Sequence, residues 1–300
     1  MTVKDPVAPM PSIGLKARSR TWRLGPMKVI PTLPLVVLFI LVFGAVAAPV
    51  LTPYSPVKAD LINNLQPPFW VEGGSMAHPL GTDTFGRDSF SRLLYGARVS
   101  LSVAFLALLI AGTIGTSIGL LAGYAGGWID SVLMRFVDMV LSLPTLLIAL
   151  AMAIALGPSF TNIVLVIGFL IWPRVARLIR GETMLVKQQE FVRYARAVGV
   201  PGWLIVIRHV VPNVMATILV AATLEIGHVI LVEASLSFLG AGIPAPEPSW
   251  GVMISDGRAL IATGWWIALF PGLAIVASVI TFNTLGDWLR DVLDPRLREV

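Results

Sequence analysis

Residues 99–129, which read VSLSVAFLALLIAGTIGTSIGLLAGYAGGWI, contain no charged side chain. A helix crosses the hydrocarbon core of a bilayer with about 20 predominantly apolar residues, so this stretch is long enough to span a membrane. The rest of the chain has the same character. Of its 300 residues, 56% are hydrophobic and 13% are charged, against about 45–50% and about 25% in soluble domains. The sequence therefore predicts an all-α, polytopic membrane protein.

Further apolar stretches bring the expected number of transmembrane helices to six. Gly157-Pro158 divides one long charge-free stretch, and this predicts a hairpin of two spans, because Gly and Pro together break a helix. The first apolar stretch also resembles a signal peptide, but its length and the spans after it favour a retained helix. The six expected spans are Leu33–Leu51, Leu101–Gly123, Ser131–Leu156, Phe160–Ile179, Val214–Val232 and Trp265–Gly286.

These spans set the expected organisation of the chain. It comprises a cytoplasmic tail at 1–28, the first transmembrane helix at 29–52, a periplasmic loop at 53–97, a five-helix core at 98–288 with a long inner loop at 180–212, and a cytoplasmic tail at 289–300. Most of the 22 Lys and Arg residues fall on the side of both termini, and the positive-inside rule makes that side the cytoplasm. Arg92 and Arg98 are exceptions close to a span, with Asp83 and Asp88 as candidate ion-pair partners.

Composition excludes several chemistries. The chain has no Cys and only three His, which stand far apart in sequence, so no metal site is expected. No Lys follows Gly and precedes Ser or Thr, so the chain lacks a phosphate-binding P-loop. The net charge of +5 is interpreted as a topology signal, and no nucleic-acid partner is expected. We therefore expect no bound cofactor, and no nucleophile with a nearby base supports a membrane-embedded hydrolase.

A stripe of small residues runs along the second expected span. Gly115, Gly119 and Gly123 recur at every fourth residue and so share one helix face. In a bilayer, small residues let helix backbones approach closely. The stripe predicts a tight contact between helices, either within this chain or with a partner.

Three ionisable residues lie in or beside the fifth expected span. Glu225 and His228 are three residues apart and share a helix face, and Glu233 follows at the outer end. A carboxylate that faces lipid is costly, so Glu225 is expected to face protein or water. The three residues are candidates for the lining of a translocation path, with interhelical hydrogen bonding or a proton relay as alternatives. Arg135 and Asp138 are expected to form a structural pair near the inner end of the third span.

The inner loop contains two short helical segments separated by a turn. Residues 190–198 form the first segment, Gly199-Val200-Pro201-Gly202 ends it, and Trp203–Arg208 forms the second. A basic, amphipathic helix-turn-helix held between two spans is expected to dock onto a partner. The alternative is a helix that lies on anionic membrane lipids.

This inner loop resembles the cytoplasmic coupling loop of binding-protein-dependent ABC importer permeases. The blocks FVRYARAVG at 191–199 and RHVVPN at 208–213 are similar to the dipeptide, oligopeptide and nickel branch of that family. Further similar blocks lie at 78–98, 237–240, 249–251 and 286–298, so the resemblance covers about residues 30–298. The chain most resembles the C-type permease subunits of this branch.

The resemblance implies the type I ABC importer permease fold, in the bacterial cytoplasmic membrane. It implies a heterodimer with a second, B-type permease subunit, two ATP-binding subunits that hold ATP and Mg, and a periplasmic substrate-binding protein. In this sequence the implied ATPase-coupling residues are Phe191, Val192, Ala195, Arg196, Gly199, Val200, His209 and Pro212. Gly199 is implied to permit the tight turn and Ala195 a close approach, while Arg193-Tyr194 stands where the family motif commonly has Glu and Ala.

The substrate class implied by the resemblance is a di- or oligopeptide. The same branch also carries nickel complexes and glutathione, which remain as alternatives. A rival from another class is a proton-coupled secondary transporter built on Glu225 and His228. Such transporters often contain internal repeats, and the two halves of this sequence show none.

Overall fold

The structure, a computed structural model, describes residues 30–293. The expected tail at 1–28 lies outside the described residues, and the tail at 289–300 is described only as far as 293. Within the described range the chain is helical and forms no β-strand. Its α-helices are α1 (Thr32–Leu51), α2 (Ser89–Ala125), α3 (Gly127–Leu141), α4 (Thr145–Leu156), α5 (Phe160–Lys187), α6 (Glu190–Ala197), α7 (Gly202–Ile205), α8 (Val211–Phe238), α9 (Trp250–Gly257) and α10 (Trp266–Leu293).

The long helices make the chain a multi-pass membrane protein. Helices α1, α2, α5 and α10 are long and apolar enough to cross a membrane, as is the continuous segment Gly202–Phe238, which contains α7 and α8. The predicted hairpin is present, since α4 ends at Leu156 and α5 begins at Phe160. Gly157 between them has a φ of +82°, in the left-handed region that favours glycine.

The third expected span, Ser131–Leu156, is wrong as a single helix. The chain forms α3 and α4 instead, which meet the criteria for a span only as a pair bent by 82°. Pro144 accounts for the break, because proline lacks the backbone N–H and disfavours helical backbone at the residue before it. The expected pairing of Asp138 with Arg135 is also wrong. Helix α3 packs on α5, and Asp138 accepts a hydrogen bond from Arg177 of α5.

Helices α2 and α5 pack together along the glycine stripe. A Cβ atom at Gly115 would lie 2.6 Å from the carbonyl oxygen of Trp172, and one at Gly119 would lie 2.7 Å from that of Ala176. Gly123 faces α5 in the same way. Real Cβ atoms do not approach so closely, so only glycine permits this separation of the two helices.

Replacing Gly119 with valine is expected to destabilise the protein by about 1–3 kcal/mol, the usual cost of overpacking. The added side chain would collide with the α5 backbone. Thermal unfolding of the detergent-solubilised protein measures the change. Gly112→Val is the matched control, because nothing lies within 4 Å of a Cβ atom at that position of the same helix. Equal melting temperatures for the two variants would contradict the close packing.

The bundle has two distinct ends, which are named here by the short helices that they carry. The α6 end carries α6 and α7, and the α9 end carries α9 and the segment 52–88. At the α9 end, Trp250 Nε1 donates a hydrogen bond to the carbonyl oxygen of Leu93 at 3.1 Å, and Trp266 Nε1 donates one to that of Thr82 at 2.9 Å. These bonds hold α9 against the start of α2, and α10 against the segment that precedes α2.

Candidate functional site

The segment between α5 and α8, residues 188–210, is called the α6 loop. It contains α6, a turn and α7, and a π-helical turn at Val206–Val210 joins α7 directly to α8. Val192 is fully buried in an apolar cluster with Ile205 and with Val175 and Ile179 of α5. Helix α6 therefore rests on the ends of α5 and α8, and the three helices form one packed unit.

The outer surface of the α6 loop carries large, exposed apolar side chains. Phe191, Tyr194 and Val198 follow the spacing i, i+3, i+7, and Tyr194 and Val198 are 71% and 78% exposed. Trp203 and Ile207 of the next helical segments are also exposed. We call these five residues the α6 patch. Exposed clusters of large apolar side chains are typical of interaction sites, so the patch is the strongest docking feature of this end.

Two of the expected coupling residues lie on the buried face of α6. Val192 is 0% exposed and Ala195 is 9% exposed, because both complete the apolar cluster beneath the helix. The small side chain of Ala195 thus permits close approach to this chain's own helices. Phe191 is 41% exposed and lies at the edge of this face, one turn before Ala195.

Gly199 forms the turn between α6 and α7. Its φ of +85° lies in the left-handed region, and no atom of residues 30–293 lies within 4 Å of a Cβ placed there. The N–H of Val200 donates to the carbonyl oxygen of Ala195 at 3.1 Å, which closes the end of α6. The turn is therefore fixed by backbone conformation and is open to contact from outside.

Basic side chains at the end of α5 and in the α6 loop contact the end of α2. Lys187 Nζ donates a hydrogen bond to the carbonyl oxygen of Tyr124 at 2.5 Å, and the Arg196 guanidinium lies 5.7 Å from the Tyr124 ring centroid. The latter distance suits a cation–π contact. A cleft of about 480 Å³ beside them is lined by Lys187, Arg193, Arg196 and Asp130.

The remaining expected coupling residues lie where the loop returns to α8. The ring of His209 is 6.2 Å from that of Phe191, and its carbonyl oxygen accepts a hydrogen bond from Asn213 Nδ2 at 2.6 Å. Pro212 lies in the first turn of α8, where its missing N–H is tolerated. These residues fix the path of the chain into α8.

Glu225 and His228 lie in the middle of α8 and share one face. Both side chains are partly buried. The atoms Glu225 Oε2 and His228 Nε2 are buried and have no hydrogen-bond partner among the described residues. Buried polar atoms without a partner are uncommon in native proteins, so these two indicate a site that a ligand, water or another subunit completes.

Glu233 is separated from this pair and occupies a different environment. Its side chain is 0% exposed, and its carboxylate accepts hydrogen bonds from Ser100 Oγ at 3.0 Å and Ser237 Oγ at 2.8 Å. Ser100 Oγ in turn accepts a bond from the N–H of Trp250 at 3.3 Å. The expected role of Glu233 in lining a path is therefore not supported, because the residue is enclosed where α2, α8 and α9 meet.

A buried ionic cluster at the α9 end includes Arg92, one of the two arginines that depart from the expected charge distribution. Arg92 is 2% exposed and donates to Asp83 Oδ2 at 2.8 Å and to Asp256 Oδ2 at 3.1 Å. Arg87 contacts the same two carboxylates. Its Nε lies 2.7 Å from Asp83 Oδ2, and its Nη2 lies 3.3 Å from Asp256 Oδ2. The pairing of Arg92 with Asp83 matches the sequence-based expectation, whereas Arg98 is exposed.

Sequence reasoning missed Asp256, the member of the cluster that lies far away along the chain. It belongs to α9, and no local spacing links it to Arg92. Burial raises the pKa of the Asp256 carboxyl above its usual range, while Arg92 and Arg87 oppose that rise. The other candidate partner, Asp88, instead contacts His78 Nδ1 at 3.0 Å and accepts from the N–H of Ser91 at 2.7 Å at the start of α2.

Within residues 30–293 no cluster of His, Asp and Glu has the composition of a metal site.

Comparison with known proteins gives a consistent result over most of the chain. Residues 115–299 match the family described as binding-protein-dependent transport system inner membrane component.

Three curated relatives illustrate the similarity. The chain is 44% identical over 260 residues to the dipeptide transport system permease protein DppC of Alkalihalophilus pseudofirmus. This alignment covers 87% of this chain and 83% of the relative. It is 41% identical to the glutathione transport system permease protein GsiD of Pectobacterium atrosepticum, with 87% and 86% covered. It is 38% identical to the probable D,D-dipeptide transport system permease protein DdpC of Escherichia coli, with 87% and 86% covered.

Two solved structures share the fold. A chain of the MetNI methionine ABC transporter in inward-facing conformations has a TM-score of 0.56 and 18% identity, covering 67% of this chain and 96% of that one. A chain of an amino acid ABC transporter crystallised with histidines has a TM-score of 0.53 and 18% identity, covering 67% and 94%. The helical arrangement described above is therefore that of an ABC transporter membrane chain.

Proposed function

This chain belongs to the family of binding-protein-dependent transport system inner membrane components, and from that premise we propose that it is a permease subunit of an ATP-driven importer of di- and oligopeptides. The observation that carries the proposal is the α6 loop, a packed segment that presents five large apolar side chains at one end of the bundle. The names of relatives that match across the chain support a peptide substrate. Glutathione, itself a tripeptide, is the second candidate, supported by a relative of 41% identity.

The chain supplies the membrane part of the machine and no ATP hydrolysis. Two separate subunits bind ATP and Mg, and one of them receives the α6 patch. Both chain termini and the α6 loop lie on the cytoplasmic side, as the distribution of Lys and Arg favours. A second, B-type permease subunit completes the membrane dimer, and lipids surround its outer faces.

The coupling residues divide into three groups with different tasks. Phe191 and the turn at Gly199 contact the ATP-binding subunit, because they are exposed, and the exposed Val198 of the α6 patch adds to this contact. Val192 and Ala195 instead fix α6 onto α5 and α8. Arg196, Val200, His209 and Pro212 hold the geometry of the loop and its return into the membrane.

Transport follows from a shift between two conformations of the importer. A ligand shifts such an equilibrium only by binding one state better than the other. ATP favours the state in which the two ATP-binding subunits meet, and the α6 loop passes this displacement to α5 and α8 as one packed unit. A loaded substrate-binding protein docks at the α9 end, where 78–98 and 233–258 are the candidate contact segments, and substrate then passes Glu225 and His228.

The proposal is tested with the complete importer, co-expressed with its neighbouring subunits and reconstituted into proteoliposomes. We expect uptake of labelled Ala-Ala only when ATP, the ATP-binding subunits and the loaded binding protein are all present. A proton ionophore serves as the control and should leave uptake unchanged. Uptake that is driven by a pH gradient without the ATP-binding subunits would overturn the proposal in favour of a proton-coupled transporter.

A further inference from the structure

Arg174 places a positive charge in the middle of a transmembrane helix. It lies at the midpoint of the 28-residue helix α5, and its side chain is exposed in the isolated chain. A charged side chain within a membrane-spanning helix is costly against lipid and is typical of a residue that faces protein or a water-filled path. Arg174 therefore lies on a surface that the second permease subunit or the translocation path covers.

The other two arginines of this segment already have acidic partners. Arg177 donates to Asp138, and Arg180 makes two hydrogen bonds to the carboxylate of Asp130. Arg174 has no such direct partner within the part of the chain that the structure describes. Its charge is thus available for a group outside this chain.

Glu225 carries a charge opposite to that of Arg174, and the two side chains form no ion pair within the described residues. Glu225 lies at the midpoint of the 28-residue helix α8, and α5 and α8 both enter the bundle from the α6 loop, so the two residues lie at similar depth. The charge of Arg174 acts on both Glu225 and His228. Glu225 Oε2 nevertheless has no hydrogen-bond partner in the described residues, and neither has His228 Nε2.

We propose that Arg174, Glu225 and His228 form a two-charge site that contacts both termini of a zwitterionic peptide as it crosses the membrane. This inference rests on the proposed function and names the substrate chemistry of its path. Arg174 contacts the carboxylate terminus, because a guanidinium matches a carboxylate with two hydrogen bonds. Glu225 contacts the ammonium terminus, and His228 adds a hydrogen bond beside it.

The arrangement favours a zwitterion over ligands with one sign of charge. Arg174 repels a bare metal cation, and Glu225 repels an anion without an ammonium group. A ligand with only one sign of charge leaves either Arg174 or Glu225 without a partner. An unpaired charge of this kind disfavours that ligand and so contributes to specificity. A site on a translocation path must also release its ligand. Two separate contacts of ordinary strength allow faster release than a site that encloses the ligand and binds it tightly.

The test compares single substitutions in the reconstituted importer with Ala-Ala as the probe. In Arg174→Gln we expect the peptide imported per ATP hydrolysed to fall about 10-fold, the effect of losing one charge-assisted contact. ATP hydrolysis stimulated by the loaded binding protein should stay within about 2-fold, because the α6 loop is untouched. Arg174→Lys keeps the charge but loses the bidentate contact, so it is expected to restore part of the import.

Arg135→Gln is the matched control, since it removes another exposed arginine that lies on α3. It should leave import per ATP unchanged. The proposal is overturned if Arg174→Gln imports Ala-Ala like this control, or if Arg174→Lys is as defective as Arg174→Gln. A joint loss of ATP hydrolysis, assembly and import in Arg174→Gln would assign Arg174 a structural role and also overturn it. Absence of ATP-driven import by the unmodified complex would instead count against the proposed function.

Discussion

Replacing Gly199 with valine is expected to lower ATP-coupled uptake by at least about 10-fold, which corresponds to about 1.4 kcal/mol. Gly199 adopts a φ of +85° in the turn that joins α6 to α7. A residue with a Cβ pays roughly 1–2 kcal/mol in this region, and a β-branched side chain is a genuine outlier there. The turn would relax by moving α6 relative to α7, which displaces the α6 patch from its docking position.

The measurement pairs uptake with ATP hydrolysis in the reconstituted importer. Gly199→Asn is the matched control, because asparagine tolerates the left-handed region far better than valine, and it should retain most of the uptake. Space is not the limiting factor at this position, since nothing lies within 4 Å of a Cβ there. Normal uptake by the valine variant would show that the turn geometry is not needed for coupling.

Replacing Arg92 with alanine is expected to destabilise the protein by about 3–5 kcal/mol, the usual cost of removing one partner from a buried ion pair. Arg92 is 2% exposed and bridges Asp83 in the segment before α2 to Asp256 in α9. Without it, two carboxylates remain near a single guanidinium, that of Arg87. We expect the melting temperature of the solubilised protein to fall by roughly 10 °C.

Arg98→Ala provides the control for this change. It removes an arginine from the same helix at an exposed position, where substitutions usually have effects within about 0.5 kcal/mol. A second variant, Arg92→Lys, keeps the charge but loses the planar fork that reaches both acids, and should fall between the two. If Arg92→Ala and Arg98→Ala melted at the same temperature, the cluster would contribute nothing to stability.

Hydrophobicity and helix breakers predicted five of the six spans, because both depend on local sequence. The hairpin at Gly157-Pro158 and the turn at Gly199 lie where the sequence analysis expected them. The start of α2 was set too late, at Leu101 instead of Ser89. Polar residues such as Arg92 interrupt the apolar pattern in the first turns of this helix, so the pattern does not show where the helix begins. Arg92 can be buried there because it pairs with Asp83 and Asp256.

The features that could not be predicted all depend on contacts between distant segments. Asp256 joins Arg92 and Arg87 only once α9 packs over the start of α2. The enclosure of Glu233 depends likewise on Ser100, which a different helix supplies. The face of α6 that turns inward could not be read from the motif, because apolar residues occupy both faces of that short helix.

Photo-cross-linking from the α6 patch tests the central claim most directly. A benzoylphenylalanine is placed in the assembled importer at position 194, where Tyr194 is 71% exposed. A second position, that of Ile62, is 92% exposed and lies at the α9 end, so it serves as the control. We predict an adduct between position 194 and an ATP-binding subunit, and none with that subunit from position 62. Adducts with lipid alone from position 194 in an intact, ATP-hydrolysing complex would contradict the account.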